Sequence, residues 1–196
     1  MIVPVRGNVQ TRLARATGAT VVRGGVEVRP ASGDPQGPLD AVVLALAGLR
    51  RLGLDGEVTD VLALELSLPA AGQGALAIET LRGSQGFEAS APLDDAVTAR
   101  CVCAERAVLA RLAGGCTVPV AAHAVPEGEG LWLRAVLGGP DGKGGVSLVR
   151  AEMRGTAADP ESLGRSVAES LLSKGGAPLL EAARSQAEGL PAPKRA

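Results

Sequence analysis

The chain is 196 residues long and 46% hydrophobic, enough for one large domain or for one complete domain with part of another. Its 20 Lys and Arg against 21 Asp and Glu leave a formal net charge of -1, so no global field draws it toward nucleic acid or an anionic membrane and any recognition of anions must be local. One Trp, one Phe and no Tyr make the core aliphatic and remove the aromatic platforms on which single-stranded nucleic acid stacks, so neither a nucleic-acid nor a membrane partner is expected.

The opening "MIVPVRGNVQTRLARATG" reads as a short β-branched strand, a Gly-Asn turn and a helix from about Val9 to Ala16. Residues 19–30 alternate apolar and polar around Gly24-Gly25, a hairpin signal, and "ASGDPQGP" after them is a loop. "LDAVVLALAGLRRLGL" then reads as a buried strand over Ala41 to Leu46, running through Gly48 into a short helix that carries Arg50 and Arg51. In "SLPAAGQGALAIE", residues 67–79, a Gly-Gln-Gly turn precedes an apolar run, Ala75 to Ile78, of the kind found in strands covered on both faces.

A long helix is expected from about Asp95 to Leu112, capped by Asp94 and stopped by Gly114, with an apolar stripe of Val97, Cys101, Ala104, Val108 and Leu112. Three strand candidates follow, Val118 to Val125, Leu131 to Leu137 and Val146 to Met153, joined by the turn-rich "PEGEG" and "GGPDGKGG". A last helix runs from Pro160, behind an Asp159 cap, to about Lys174, where Gly175 ends it. The pattern predicts a partial α/β domain over 1–66, a strand and linker over 67–94, a small α+β domain with a three-stranded sheet and helices over 95–186, and a disordered tail over 187–196.

No apolar run approaches the roughly 18 residues of a membrane span, and Met1 leads into neither a basic nor an apolar leader, so the expected location is the cytoplasm. Three cysteines and a single histidine fit neither a disulfide framework nor a zinc pattern, and no metal is expected. Cys101 falls on the helix stripe and reads as a core residue. Cys116 differs, because the Gly-Gly pair before it permits a tight loop that projects a small side chain off the end of a helix. Spacing alone would still leave it structural.

Five separated stretches change that reading. "RGNVQTRL" (6–13), "LALAGLRRLGL" (44–54), "LPAAGQGALAIE" (68–79), "AERAVLARLAGGCTVPVAAHA" (104–124) and "GRSVAESLL" (164–172) resemble, in order, successive segments of the hydroxymethylbilane synthase family, also called porphobilinogen deaminase. The resemblance implies that Cys116 carries a dipyrromethane cofactor through a thioether. A thiol suits that role, since porphobilinogen losing ammonia presents an electrophilic methylene carbon to a soft sulfur nucleophile. It also implies a transferase of tetrapyrrole and heme biosynthesis that joins porphobilinogen units head to tail. Every pyrrole brings acetate and propionate groups, and arginine pairs bidentately with carboxylates while staying charged at any working pH. By the same resemblance Arg6, Arg12 and Arg51, with Gln73, face the cofactor, and Arg12, Arg50 and Arg51 bind substrate.

The family fold has two domains resembling periplasmic binding proteins and a small one bearing the cofactor. Against that pattern the chain starts within the second domain. No aspartate here matches the family's catalytic one, so no catalytic residue is assigned and a separate chain supplying the amino-terminal half is an expected partner. The stretch from Ala14 to Leu39 is longer than the family's connector, and the run Ala75 to Ile78 is expected to be exposed without the first domain. The alternative is a non-catalytic relic or binding module that keeps only the fold of the small domain.

Overall fold

The computed structural model describes residues 3, 5–17, 21–23, 26–28, 39–112, 118–142 and 144–188. The chain divides into two compact units, Met1–Leu62 and Ala63–Ala196.

In the first unit the leading segment ends at Gly7, whose φ of +112° is open to glycine at little cost. The turn lets Asn8 cap helix α1, Val9–Thr17: the Asn8 Oδ1 accepts the Thr11 backbone N–H at 2.9 Å and the Thr11 hydroxyl at 2.9 Å. Strands β1, Val21–Arg23, and β2, Val26–Val28, form the expected antiparallel hairpin, with Val21 opposite Val28. Helix α2, Leu46–Arg51, packs against α1 through a small core of Leu13, Ala14 and Leu49, bordered by Val9, Leu44, Leu54 and Val58. The strand expected over Ala41 to Leu46 does not form. Residues 41–45 pair with no strand among the described residues, Val43 is 74% exposed, and Leu46 already opens α2. An apolar run without a neighbouring strand has no ladder to join.

The second unit begins with turns. The Ala75 to Ile78 run is unpaired among the described residues and, as expected, exposed, with Leu76 at 79% and Ile78 at 58%. A short helix α3, Gln85–Ser90, follows, capped by the Ser84 hydroxyl. Helix α4, Ala96–Arg111, is capped by Asp95 rather than Asp94, because it is the Asp95 carboxylate that accepts the Thr98 N–H, at 2.7 Å. That bond holds the Asp95 carboxyl below the usual carboxylate range. Of the expected stripe, Cys101, Ala104, Val108 and Leu112 are buried, whereas Val97, in the first turn, is exposed.

Strands β3, Val120–Glu127, β4, Gly130–Pro140, and β5, Val146–Thr156, make one antiparallel sheet in the order β3-β4-β5. Alternation along β4 sends Leu131, Leu133, Ala135 and Leu137 into the core. The opposite face carries Trp132, whose ring lies 4.3 Å from the Arg134 guanidinium carbon and 5.0 Å from that of Arg154.

Helix α5, Pro160–Leu171, is capped by Asp159, and its Leu163, Val167, Ala168 and Leu171 complete the core with α4 and β4. Its close approach to α4 needs Gly164, where a Cβ would collide with the Ala104 carbonyl and the Ala107 methyl. A wider turn, Leu172–Gly176, follows where the helix was expected to continue to about Lys174. The chain then re-enters a helix the sequence reading missed, α6, Ala177–Glu188. Leu180 and Ala183 of α6 are buried, and its last two residues overlap the stretch expected to be disordered; 189–196 lie outside the described residues.

Candidate functional site

The first unit presents the arginines. Arg6 is exposed immediately before α1, on the amino-terminal side of the Gly7-Asn8 turn. Arg12 lies on α1, half-buried next to Leu13 and Ala14, and its Nε is buried without a hydrogen-bond partner among the described residues. Arg50 and Arg51 are exposed in the last turn of α2, so the core of Leu13, Ala14 and Leu49 joins the two helices that carry Arg12, Arg50 and Arg51. Cations at the carboxyl end of a helix also sit where the unpaired carbonyls favour positive charge. The structure thus assembles three of the four expected arginines on one packed helix pair.

The remaining site residues belong to the second unit. Gln73 occupies a turn in which its Oε1 accepts the Ala70 N–H at 3.1 Å and its own N–H is donated to the Ala70 carbonyl at 3.1 Å. Its side-chain oxygen is therefore spent on closing the turn, while the exposed side chain keeps its NH2 group to offer. Cys116 lies in 113–117, outside the described residues. The structure gives the two ends of that segment. On the amino-terminal side Leu112 closes α4 with its side chain fully buried, and its carbonyl accepts a 2.6 Å hydrogen bond from Arg184 Nη2 of α6. On the other side Val118 is buried and the Pro119 carbonyl accepts the Gly138 N–H at 2.8 Å, which seats the chain at the entry to β3.

Sequence reasoning passed over one residue between these parts. Glu105, on α4, is 5% exposed, and its carboxylate accepts the Gly72 N–H at 2.7 Å and the Ala124 N–H at 2.8 Å. The imidazole Nδ1 of His123, the chain's single histidine, lies 3.5 Å from the same oxygen that accepts Ala124. The available signal was position: Glu105 follows Cys101 by one helical turn and so adjoins the apolar stripe, where an unpaired charge is not tolerated. Burial pushes the Cys101 thiol up, and the negative charges of Glu105 and Asp95 push it further, which suits a core cysteine and not a nucleophile. Among the described residues no cluster of three His, Cys, Asp or Glu side chains could hold a metal ion, and no helix is long and apolar enough to cross a membrane.

Comparison with known proteins places both units in one family. Residues 99–173 match the family model described as porphobilinogen deaminase, C-terminal domain, and residues 1–89 match the model described as porphobilinogen deaminase, dipyromethane cofactor binding domain. The chain belongs to the porphobilinogen deaminase family. A curated porphobilinogen deaminase from Roseiflexus sp. (strain RS-1) is 41% identical over 180 residues, which cover 91% of this chain and 52% of the relative. The chain spans about half the length of that relative.

Proposed function

We propose that this chain is the carboxy-terminal part of a hydroxymethylbilane synthase, the deaminating transferase that joins porphobilinogen head to tail, and that it works in the cytoplasm. The observation that carries the reading is that two models of one family fall on the chain in succession, with Gly114, Gly115 and Cys116 inside the second match. In this reading residues 1–66 are part of an α/β domain of the periplasmic-binding-protein type, 67–94 are the linker, and 95–186 are the domain that bears the cofactor.

The donor set fits a dipyrromethane, whose acetate and propionate groups need fixed cations. Arg12 offers a buried Nε that has no acceptor among the described residues, and Arg6, Arg50 and Arg51 offer exposed guanidinium groups. When bound, the dipyrromethane supplies the pyrrole carbon to which further porphobilinogen units are joined. Cys116 would hold it through a thioether, its sulfur replacing the ammonia lost from the aminomethyl carbon of porphobilinogen. Arg12, Arg50 and Arg51 hold substrate carboxylates, and the Gln73 NH2 donates to the bound group. The exposed apolar side chains of the linker, including Leu76, Ile78 and Leu93 around a cavity of about 400 Å³, form the seat for the polypeptide that supplies the rest of the family's length, in the same chain or in a separate one.

The test is the mass of the Cys116 peptide, together with the intact mass, of protein purified from its native cells. An adduct the size of a dipyrromethane is the expected result. A free thiol throughout would overturn the reading and leave a binding module that shares only the family's fold.

A further inference from the structure

The two edges of the β3-β4-β5 sheet end differently. On the β3 edge the Pro69 carbonyl accepts the Ala122 N–H at 3.2 Å and the Glu105 carboxylate accepts the Ala124 N–H at 2.8 Å, so other parts of the chain close it. The β5 edge has β4 on one side and, among the described residues, no backbone hydrogen bond on the other. An open edge offers a row of N–H and C=O groups that a further strand can pair. Proline, a bulge or a very short strand blunts such an edge. None is present here: Val146–Thr156 is 11 residues long, contains no proline, and matches β4 residue for residue from Val146 opposite Pro140 to Thr156 opposite Gly130.

This strand is complementary to itself when reversed. Exposure alternates symmetrically about Ala151, its one buried residue, so the pattern is the same in both directions. Arg150 and Glu152 flank that centre, are both exposed and share the face opposite the one that Ala151 turns to the core. An antiparallel pair of two β5 strands with Ala151 opposite Ala151 aligns all 11 residues and sets Arg150 of each copy against Glu152 of the other, twice over. Val149 then meets Met153, both already bordering the core, and so continues the apolar face. On the other face Leu148, 57% exposed, meets the stem of Arg154, and Val146, 74% exposed, meets Thr156. Centring the pair one residue either way, on Arg150 or on Glu152, opposes like charges and leaves strand ends unpaired.

We infer that the β5 edge is an interface between two copies of this chain, joined by antiparallel β5 strands about a two-fold axis at Ala151 into one continuous sheet. No residue assigned to cofactor or substrate lies on this edge, so the interface is separate from the role of Cys116.

The test is sedimentation velocity of the 196-residue chain from about 1 µM to about 500 µM, the range of weak contacts of modest area, with amide hydrogen exchange at both ends of that range. The weight-average mass should rise from 19.6 kDa toward twice that value, and the amides of β5 should gain protection with concentration while those of β3 do not. Arg150→Glu and Glu152→Arg, taken singly, put like charges opposite each other twice and should each weaken the dimer by about tenfold or more. Their equimolar mixture should dimerise as the parent does, because one variant is acidic where the other is basic. The double variant that exchanges the two charges should do the same. The dimer should also persist in Leu76→Lys with Leu81→Lys; its loss there would put the contact in the linker and overturn the inference. A chain that stays monomeric throughout, a dimer unmoved by the single reversals, or a mixture that does not recover would each overturn it as well. So would β5 amides equally protected at every concentration, since another part of the chain would then cover the edge. If a single reversal does not fold, hydrogen exchange of the parent and the dimerisation of the charge-exchanged double variant decide by the same criteria. A free Cys116 in native protein would sink the cofactor reading and leave this result standing, so the two failures are distinguishable.

Discussion

Residues 96–188 and the linker that precedes them lie in one compact unit, yet they treat apolar side chains in opposite ways. Leu133, Leu137 and Leu171 are fully buried, whereas Leu76, Leu81 and Leu93 are 79%, 81% and 68% exposed. The difference is not composition. β3, β4 and β5 follow one another and pair as antiparallel neighbours, so each strand finds its partner across a short turn and α4, α5 and α6 close one face. The run around Leu76 has turns on either side and no strand beside it among the described residues. A leucine-rich segment is half of a strand, and only a neighbour makes it one.

The strongest way to break this comparison is at the buried end. Leu133→Ala removes a side chain with no exposed surface and should cost about 2–5 kcal/mol, read from chemical denaturation of the isolated chain. A loss below about 1 kcal/mol would mean that the sheet does not carry the core. Next comes the contact between α4 and α5. Gly164→Ala must push the helices apart and should cost about 1–3 kcal/mol, whereas an unchanged midpoint would contradict the close approach at Ala104 and Ala107. The smallest effect is expected in the linker. Leu76→Lys with Leu81→Lys should alter stability by no more than about 0.5 kcal/mol per site and should reduce self-association in size-exclusion chromatography. If the pair destabilised the unit as much as Leu133→Ala does, the linker would belong to the core and the contrast would collapse.

Local signals were read well where neighbours in sequence are also neighbours in space. Gly7-Asn8 announced the start of α1, and the turn-rich stretches "PEGEG" and "GGPDGKGG" announced the joins of a three-stranded sheet. The reading failed where a long-range partner decides. Gly175, with a φ of +99°, looked like a final helix stop; it is a bend, because α6 gains a place when Leu179 packs against Gly139 of β4 and Leu180 enters the core. Ala41 to Leu46 had the composition of a strand but no ladder among the described residues, whereas Ala75 to Ile78 is exposed, as expected of a run without its partner sheet. Glu105 was passed over because its partners, Gly72 and Ala124, are 33 and 19 residues away.

By itself the sequence determined the ordered motifs that tie this chain to its family, the thiol at Cys116 behind a Gly-Gly pair, the arginines at 6, 12, 50 and 51, and the succession of helix and three strands in the second unit. These depend on residue identity and local backbone preference, which a linear chain displays. The tertiary structure alone decided that α1 and α2 pack together and so carry Arg12, Arg50 and Arg51 on one helix pair, that α6 exists, and that a single buried carboxylate collects the Gly-Gln-Gly turn and β3. Each of these follows from desolvation: an apolar face or a charge leaves water only when distant parts of the chain arrive to replace it.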